Sequence, residues 1–150
     1  MHIQLIYMKP SSLNDNIIAV CTEFSHRFTL ALGRKFEEGG INITPEQFGI
    51  LVVLLYKDGL TQKEISENLN RDKTTIARVV HNMKTKGIVK QVTDGRDNRA
   101  RLIYLTQKGR TLQQAALNIS GVLYMQAIGG IDEKYITAGI KLLQQMLTKF

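Results

Sequence analysis

The sequence contains a single cysteine, two prolines and no tryptophan, and these shortages exclude whole classes of protein. One cysteine forms no internal disulfide, and no cluster of Cys and His stands at zinc-ligand spacing, so stapled and zinc-closed scaffolds are ruled out. Such cysteine usage predicts a reducing, cytoplasmic setting. The longest apolar run, residues 50–56, falls far short of the roughly 20 residues that span a bilayer, so no membrane partner is expected. Residues 1–8 are apolar but lack a basic first region and a small-residue cleavage site, and no export is expected. Also missing are G-x-S-x-G, a glycine-rich phosphate loop, H-E-x-x-H and any pair of carboxylates on a common helical face. The adjacent pairs Glu37-Glu38 and Asp132-Glu133 diverge by about 100° on a helix and cannot flank one substrate bond. Neither catalysis nor a cofactor or metal is expected.

What is present is an ordinary globular composition: 150 residues, 43% hydrophobic and 22% charged. A chain of this size buries roughly 70% of its unfolded surface and needs no staple to close a core. The net charge of +7 is localised. Residues 61–110 hold 12 Lys and Arg against five Asp and Glu, while the remainder balances eight against eight. One segment carries the whole excess, as a surface for polyanions does; charge alone leaves open a merely solvated face.

Apolar residues Leu13, Ile17, Val20, Phe24, Phe28, Ala31 and Leu32 recur at helical spacing after the Ser11/Ser12 pair, which can cap a long first helix ending near Glu38, before Gly39 and Gly40. Thr44-Pro45-Glu46-Gln47 supplies a capping threonine, a proline at the first helical position and a glutamine three residues after the cap. The second helix it opens has Phe48, Leu51, Val52, Leu55 and Tyr56 as its expected buried stripe and Gly59 at its expected end. Thr61 and Glu64 repeat the capping pattern and open a short third helix with Ile65 and Leu69 inside. A break at Asn70-Arg71 leads to Asp72, the expected cap of a fourth helix that buries Ile76, Val79, Val80 and Met83 and stops at Gly87. The period then changes to two, with Ile88, Val89 and Val92 before a polar loop and Leu102, Ile103 and Leu105 after it. Thr106 starts a fifth helix with Leu112, Ala115, Ala116, Ile119 and Leu123. Asp132 starts a sixth with Ile136, Ile140, Leu143, Met146 and Leu147.

The order helix, helix, hairpin coincides with the basic segment and predicts a winged helix-turn-helix: a mainly α fold of six helices with a two- or three-stranded wing. In such a motif the second helix lies in the major groove. With its apolar face turned inward, residues 72–83 expose Lys73, Thr74, Thr75, Arg78 and His81 or Asn82, hydrogen-bonding types suited to bases and phosphates.

At this point the stretch LTQKEISENLNRDKTTIARVVHNMKTKGIVKQVTDGRDNRARLIYLTQKG resembles the DNA-binding core of the MarR family of bacterial transcriptional regulators. The wing triplet Asp97-Asn98-Arg99 and the LTQKG after the second wing strand carry the likeness. It implies a homodimer whose first, fifth and sixth helices interlace, with two winged domains on a pseudo-palindromic double-stranded DNA site, acting as a repressor released by a small aromatic or anionic effector. It implies dimerisation segments at 1–40 and 106–150 around a DNA-binding domain at 44–105. It also places Arg99 in the minor groove with Asp97 holding it. The physics agrees, because a narrow minor groove favours a guanidinium and a nearby carboxylate can orient one. Arg96 and Arg101 are then expected on phosphates.

Cys21 lies beside the apolar stripe of the first helix. Some members of this family sense peroxides through a cysteine in that helix, supported by tyrosines. Here no tyrosine occurs between Tyr7 and Tyr56, and Phe24 and Phe28 cannot donate hydrogen bonds to a thiolate. A packed thiol and a peroxide-sensing Cys21 are the two readings. His26, on the same helix, reads as a surface or interface histidine.

Overall fold

The computed structural model describes residues 13–95 and 100–150. A 3-10 turn at Leu13–Asp15 precedes α1, Ile17–Glu38. The cap of α1 is Asn16, whose side chain accepts from the backbone N–H groups of Ile18 and Ala19; the Ser11/Ser12 pair expected there lies outside the described residues. The helix ends as expected. Gly40, at φ +70°, lets its own N–H reach Glu37 O and the Ile41 N–H reach Phe36 O, the double bond of a Schellman close.

α2, Pro45–Tyr56, carries the full capping box between Thr44 and Gln47. Its inner face differs from the expected stripe. Gln47, Ile50, Leu51 and Leu54 are buried, whereas Leu55 and Tyr56 are 50% and 85% exposed. Apolar residues occupy nearly every position of this helix, so the pattern has little directional contrast, and packing chose a face rotated by about one residue. The helix also stops sooner, at Lys57, and Gly59 (φ +78°) sits in the following turn beneath the Tyr104 ring.

That turn enters β1, Leu60–Thr61, and Thr61 caps α3, Gln62–Leu69, through a second capping box with Glu64. Asn70 is left-handed at φ 48° and turns the chain into α4, Lys73–Thr85, capped by Asp72. β2 (Val89–Thr93) and β3 (Arg101–Leu105) form the hairpin, and β1 adds antiparallel to β3, giving the sheet order β1-β3-β2. Leu60 pairs with Ile103, and Thr93 with Arg101. α5, Gln107–Ile128, starts at Thr106, and α6, Glu133–Leu147, at Asp132.

One core joins these elements. Phe36 of α1, Ile50, Leu51 and Leu54 of α2, Ile65 of α3, Val80 and Met83 of α4, and Ile88 and Ile103 at the sheet are its deepest large side chains. From α5 only Gly109, Gln113 and Ala116 are buried, and α6 buries nothing. The apolar stripe of α1 divides: Leu32 is inside, while Val20 and Phe24 face outward, with Phe24 stacked on Phe28.

Candidate DNA-binding surface

The turn between α3 and α4 is held by its own atoms. The buried Ser66 hydroxyl donates to Arg71 O at 2.7 Å, and the Arg71 N–H donates to Ser66 O at 3.0 Å. Asp72 then fixes the first turn of α4 by accepting from the Thr75 N–H at 2.8 Å and the Thr75 hydroxyl at 2.6 Å. The Thr75 hydroxyl first, and its backbone N–H second, hold the Asp72 carboxyl below its ordinary range. Ile76, Val79, Val80 and Met83 are buried as the periodicity predicted, which fixes the opposite face outward.

On that outward face Lys73, Thr74 and Arg78 are exposed side by side in the first two turns. Thr75 departs from expectation. It is half-buried, and its hydroxyl serves the cap by donating to Asp72 Oδ2. Asn82 is exposed as expected, yet its Oδ1 accepts from Gln47 Nε2 at 2.7 Å, so the buried glutamine of the α2 capping box also grips α4. His81 remains exposed.

Beside α4 lies a cleft of about 390 Å³ whose walls include Thr29, Glu46, Arg71 and Arg78. The Glu46 carboxyl is held below its ordinary range, chiefly by a hydrogen bond with Thr44 and its own backbone N–H, partly offset by burial, with Arg78 and Arg71 adding attraction. A larger open groove of about 910 Å³ runs along α1, past Val20, Phe24, His26 and Phe28. Cys21 is half-buried on the same helix.

Arg101 begins β3, exposed, with Nη1 donating to Thr93 Oγ1 at 2.8 Å across the hairpin. The Asp94 N–H donates to Ala100 O at 2.9 Å, closing the strands towards the loop. Arg96, Asp97 and Arg99 lie outside the described residues. Behind the wing the LTQKG segment fastens sheet to helix. The Thr106 hydroxyl reaches Gly87 O and Ile88 O, Lys108 Nζ donates to Lys86 O, and Gly109 presses on the Ile88 carbonyl. Periodicity could not reveal these contacts, nor the Gln113 side chain that donates to Leu51 O at 2.6 Å, because each partner lies far away in sequence.

An exposed basic helix capped at its first turn, packed beside a hairpin, is the arrangement of a winged helix-turn-helix; the protein is a DNA-binding winged helix-turn-helix protein. A profile of the MarR family matches residues 41–100. The organic hydroperoxide resistance transcriptional regulator of Bacillus subtilis (strain 168) is 30% identical over 108 residues, 71% of this chain and 74% of that one. The chain belongs to the MarR family of transcriptional regulators. Among solved structures, the S. aureus MepR–DNA complex superimposes with TM-score 0.81 at 25% identity, covering 92% of this chain and 99% of that one. CouR from Rhodococcus jostii RHA1 bound to p-coumaroyl-CoA shares the fold, with TM-score 0.77 at 19% identity and 90% and 94% coverage. Among the described residues no helix is long and apolar enough to cross a membrane, and no group of three or more His, Cys, Asp or Glu could hold a metal ion.

Proposed function

We propose that this protein is a cytoplasmic, non-enzymatic repressor that binds a pseudo-palindromic operator as a homodimer and is released by a small aromatic or anionic effector. The observation that carries the dimer is the apolar surface left open in one chain. Phe24 is 58% exposed and Leu147 71%, and Tyr135, Ile140 and Leu143 of α6 are open as well. A soluble protein covers such a surface with a partner, most commonly through two-fold symmetry. In this reading residues 1–40 and 106–150 form the dimer body and 44–105 the DNA-binding unit. Lys73, Thr74, Thr75 and Arg78 meet the major groove, with Thr75 restricted to a backbone-side role by its cap. Arg96 and Arg101 hold phosphates, and Arg99, oriented by Asp97, enters the minor groove. The ligand complex of CouR and the cleft beside α4 support an effector.

Light scattering at micromolar concentration tests the body: wild type should be a dimer, and a Leu143→Glu, Leu147→Glu protein a monomer that loses operator affinity. A monomeric wild type would overturn the proposal.

A second reading makes Cys21 a peroxide sensor, favoured by the name of the Bacillus relative and by the position of Cys21 on α1. It predicts that an organic hydroperoxide abolishes DNA binding by wild type and spares Cys21→Ser. Equal responses of the two proteins would leave the ligand-released reading alone.

A further inference from the structure

Asp58 stands in the turn between α2 and β1 and is bound on both carboxylate oxygens. Its Oδ1 accepts from the backbone N–H of Leu105 at 3.0 Å and of Gly59 at 3.2 Å. Its Oδ2 accepts from Arg110 Nη2 at 2.7 Å. Leu105 is the last residue of β3, the return strand of the wing. The Gly59 N–H also donates to Ile103 O, and Leu60 pairs with Ile103. All these bonds grip the same short stretch at the foot of the hairpin. Arg110 comes from the first turn of α5, where Thr106 and Gly109 are fastened to Gly87 and Ile88. The chain of contacts therefore runs from a fixed helix end, through one ion pair, to the strand from which the wing projects. β1 offers only two residues of pairing on that side, so a side chain completes a footing that the backbone leaves short.

We infer that Asp58, held by Arg110, is a positioning residue for the wing: it sets the direction in which the hairpin leaves the reading head and so how the wing tip meets DNA beside α4. This rests on the wing contact proposed above. The competing role for Arg110, whose side chain is about half exposed, is a direct phosphate contact. The two roles differ in sign. Freeing a phosphate ligand from its carboxylate tightens DNA binding, whereas loosening an anchor weakens it.

The test compares wild type with Asp58→Asn, which keeps Oδ1 as an acceptor for both N–H groups but removes the charge, and with Arg110→Gln and the conservative Arg110→Lys. The first readout needs no DNA. A fluorophore is placed on a Gly95→Cys protein in a Cys21→Ser background, since a side chain at Gly95 meets nothing within 4 Å, and its anisotropy decay reports wing motion. Asp58→Asn and Arg110→Gln should show local motion of larger amplitude with unchanged helical circular dichroism, and Arg110→Lys should stay near wild type. The second readout is the ratio of affinities for operators with A·T-rich and G·C-rich flanks. It should fall about threefold to tenfold in the first two variants, the equivalent of one weakened charge-assisted contact. Unchanged anisotropy decay, or tighter DNA binding by Asp58→Asn, would overturn the inference. If wild type itself ignores the flanks, the minor-groove reading of the wing falls, and the anisotropy comparison alone still decides the anchor.

Discussion

Replacing Gly109 by alanine sets two effects of opposite sign against each other. Gly109 lies in the first turn of α5, where helix propensity alone would reward alanine by up to about 1 kcal/mol. The surroundings oppose it. A Cβ there would fall 2.1 Å from Ile88 O, 3.1 Å from Ile88 C and 3.2 Å from Leu105 Cδ2. Ordinary carbon–oxygen contacts begin at about 3.3 Å, so the carbonyl must retreat by about 1 Å. That carbonyl accepts both the Thr106 N–H at 3.1 Å and the Thr106 hydroxyl at 3.0 Å. Losing the two bonds costs about 1 kcal/mol each. Overpacking adds about 1 to 3 kcal/mol. After the propensity gain the net destabilisation is roughly 2 to 4 kcal/mol, a fall in melting temperature of roughly 5 to 15 °C for a chain of this size. Urea unfolding at fixed protein concentration, followed by circular dichroism, measures it. Gly49→Ala is the control: the added Cβ meets only Leu69 Cδ2 at 3.5 Å and Cδ1 at 3.8 Å, so a gain of about 0.5 to 1 kcal/mol is expected. A Gly109→Ala protein as stable as wild type would refute the claim that this glycine is required by contact between α5 and the Ile88 carbonyl just before β2.

Arg78→Ala should cost about 1 to 3 kcal/mol on the preferred operator and much less on random DNA, whereas Lys73→Ala should weaken both alike and lower the salt slope by roughly one unit; equal losses for Arg78→Ala on both DNAs would remove it as a base reader. Asp97→Asn adds positive charge yet should weaken binding to a site with A·T-rich flanks, and Arg99→Lys should recover little of the Arg99→Ala loss because lysine lacks the planar fork; tighter binding by Asp97→Asn would refute the wing reading alone. Glu46 and Glu64 have carboxyls lowered from the ordinary 4.5, so the stability they contribute is complete above that value and is lost as pH falls through their lower folded values. Glu64 is held chiefly by the Thr61 backbone N–H and secondly by the Thr61 hydroxyl, so Thr61→Ala, which removes only the hydroxyl, should flatten part of this acid decline in urea titrations, and an unchanged profile would count against it.

The features legible in the sequence are those whose chemistry is local. Thr44, Thr61, Asp72, Thr106 and Asp132 each accept from a backbone N–H two or three residues on, so a short window contains both partners. The inner face of α4 was equally legible, because four apolar residues stand there against a polar remainder. The face of α2 was not, because a helix apolar on nearly every side offers no contrast. β1 is too short to show a period. Asp58, Gln47 and Gln113 act on partners from 35 to 62 residues away, and nothing beside them in the chain announces it. Of the candidate site, the exposure of Lys73, Thr74 and Arg78 followed from periodicity, while the withdrawal of Thr75 into the cap depended on side-chain geometry that spacing does not encode.

Among the described residues the buried apolar core begins at Leu32 and ends at Ala116, and this has a consequence for how the protein is made. Synthesis runs from the first residue to the last, and domains fold as units while the chain grows. The fully buried apolar side chains have all been added before the second half of α5 and the whole of α6 exist. Of the surface proposed to meet a second copy, the α1 part is made first and the α6 part last, so the buried core is complete in the chain before that surface is, and the order of translation places the completion of assembly after folding.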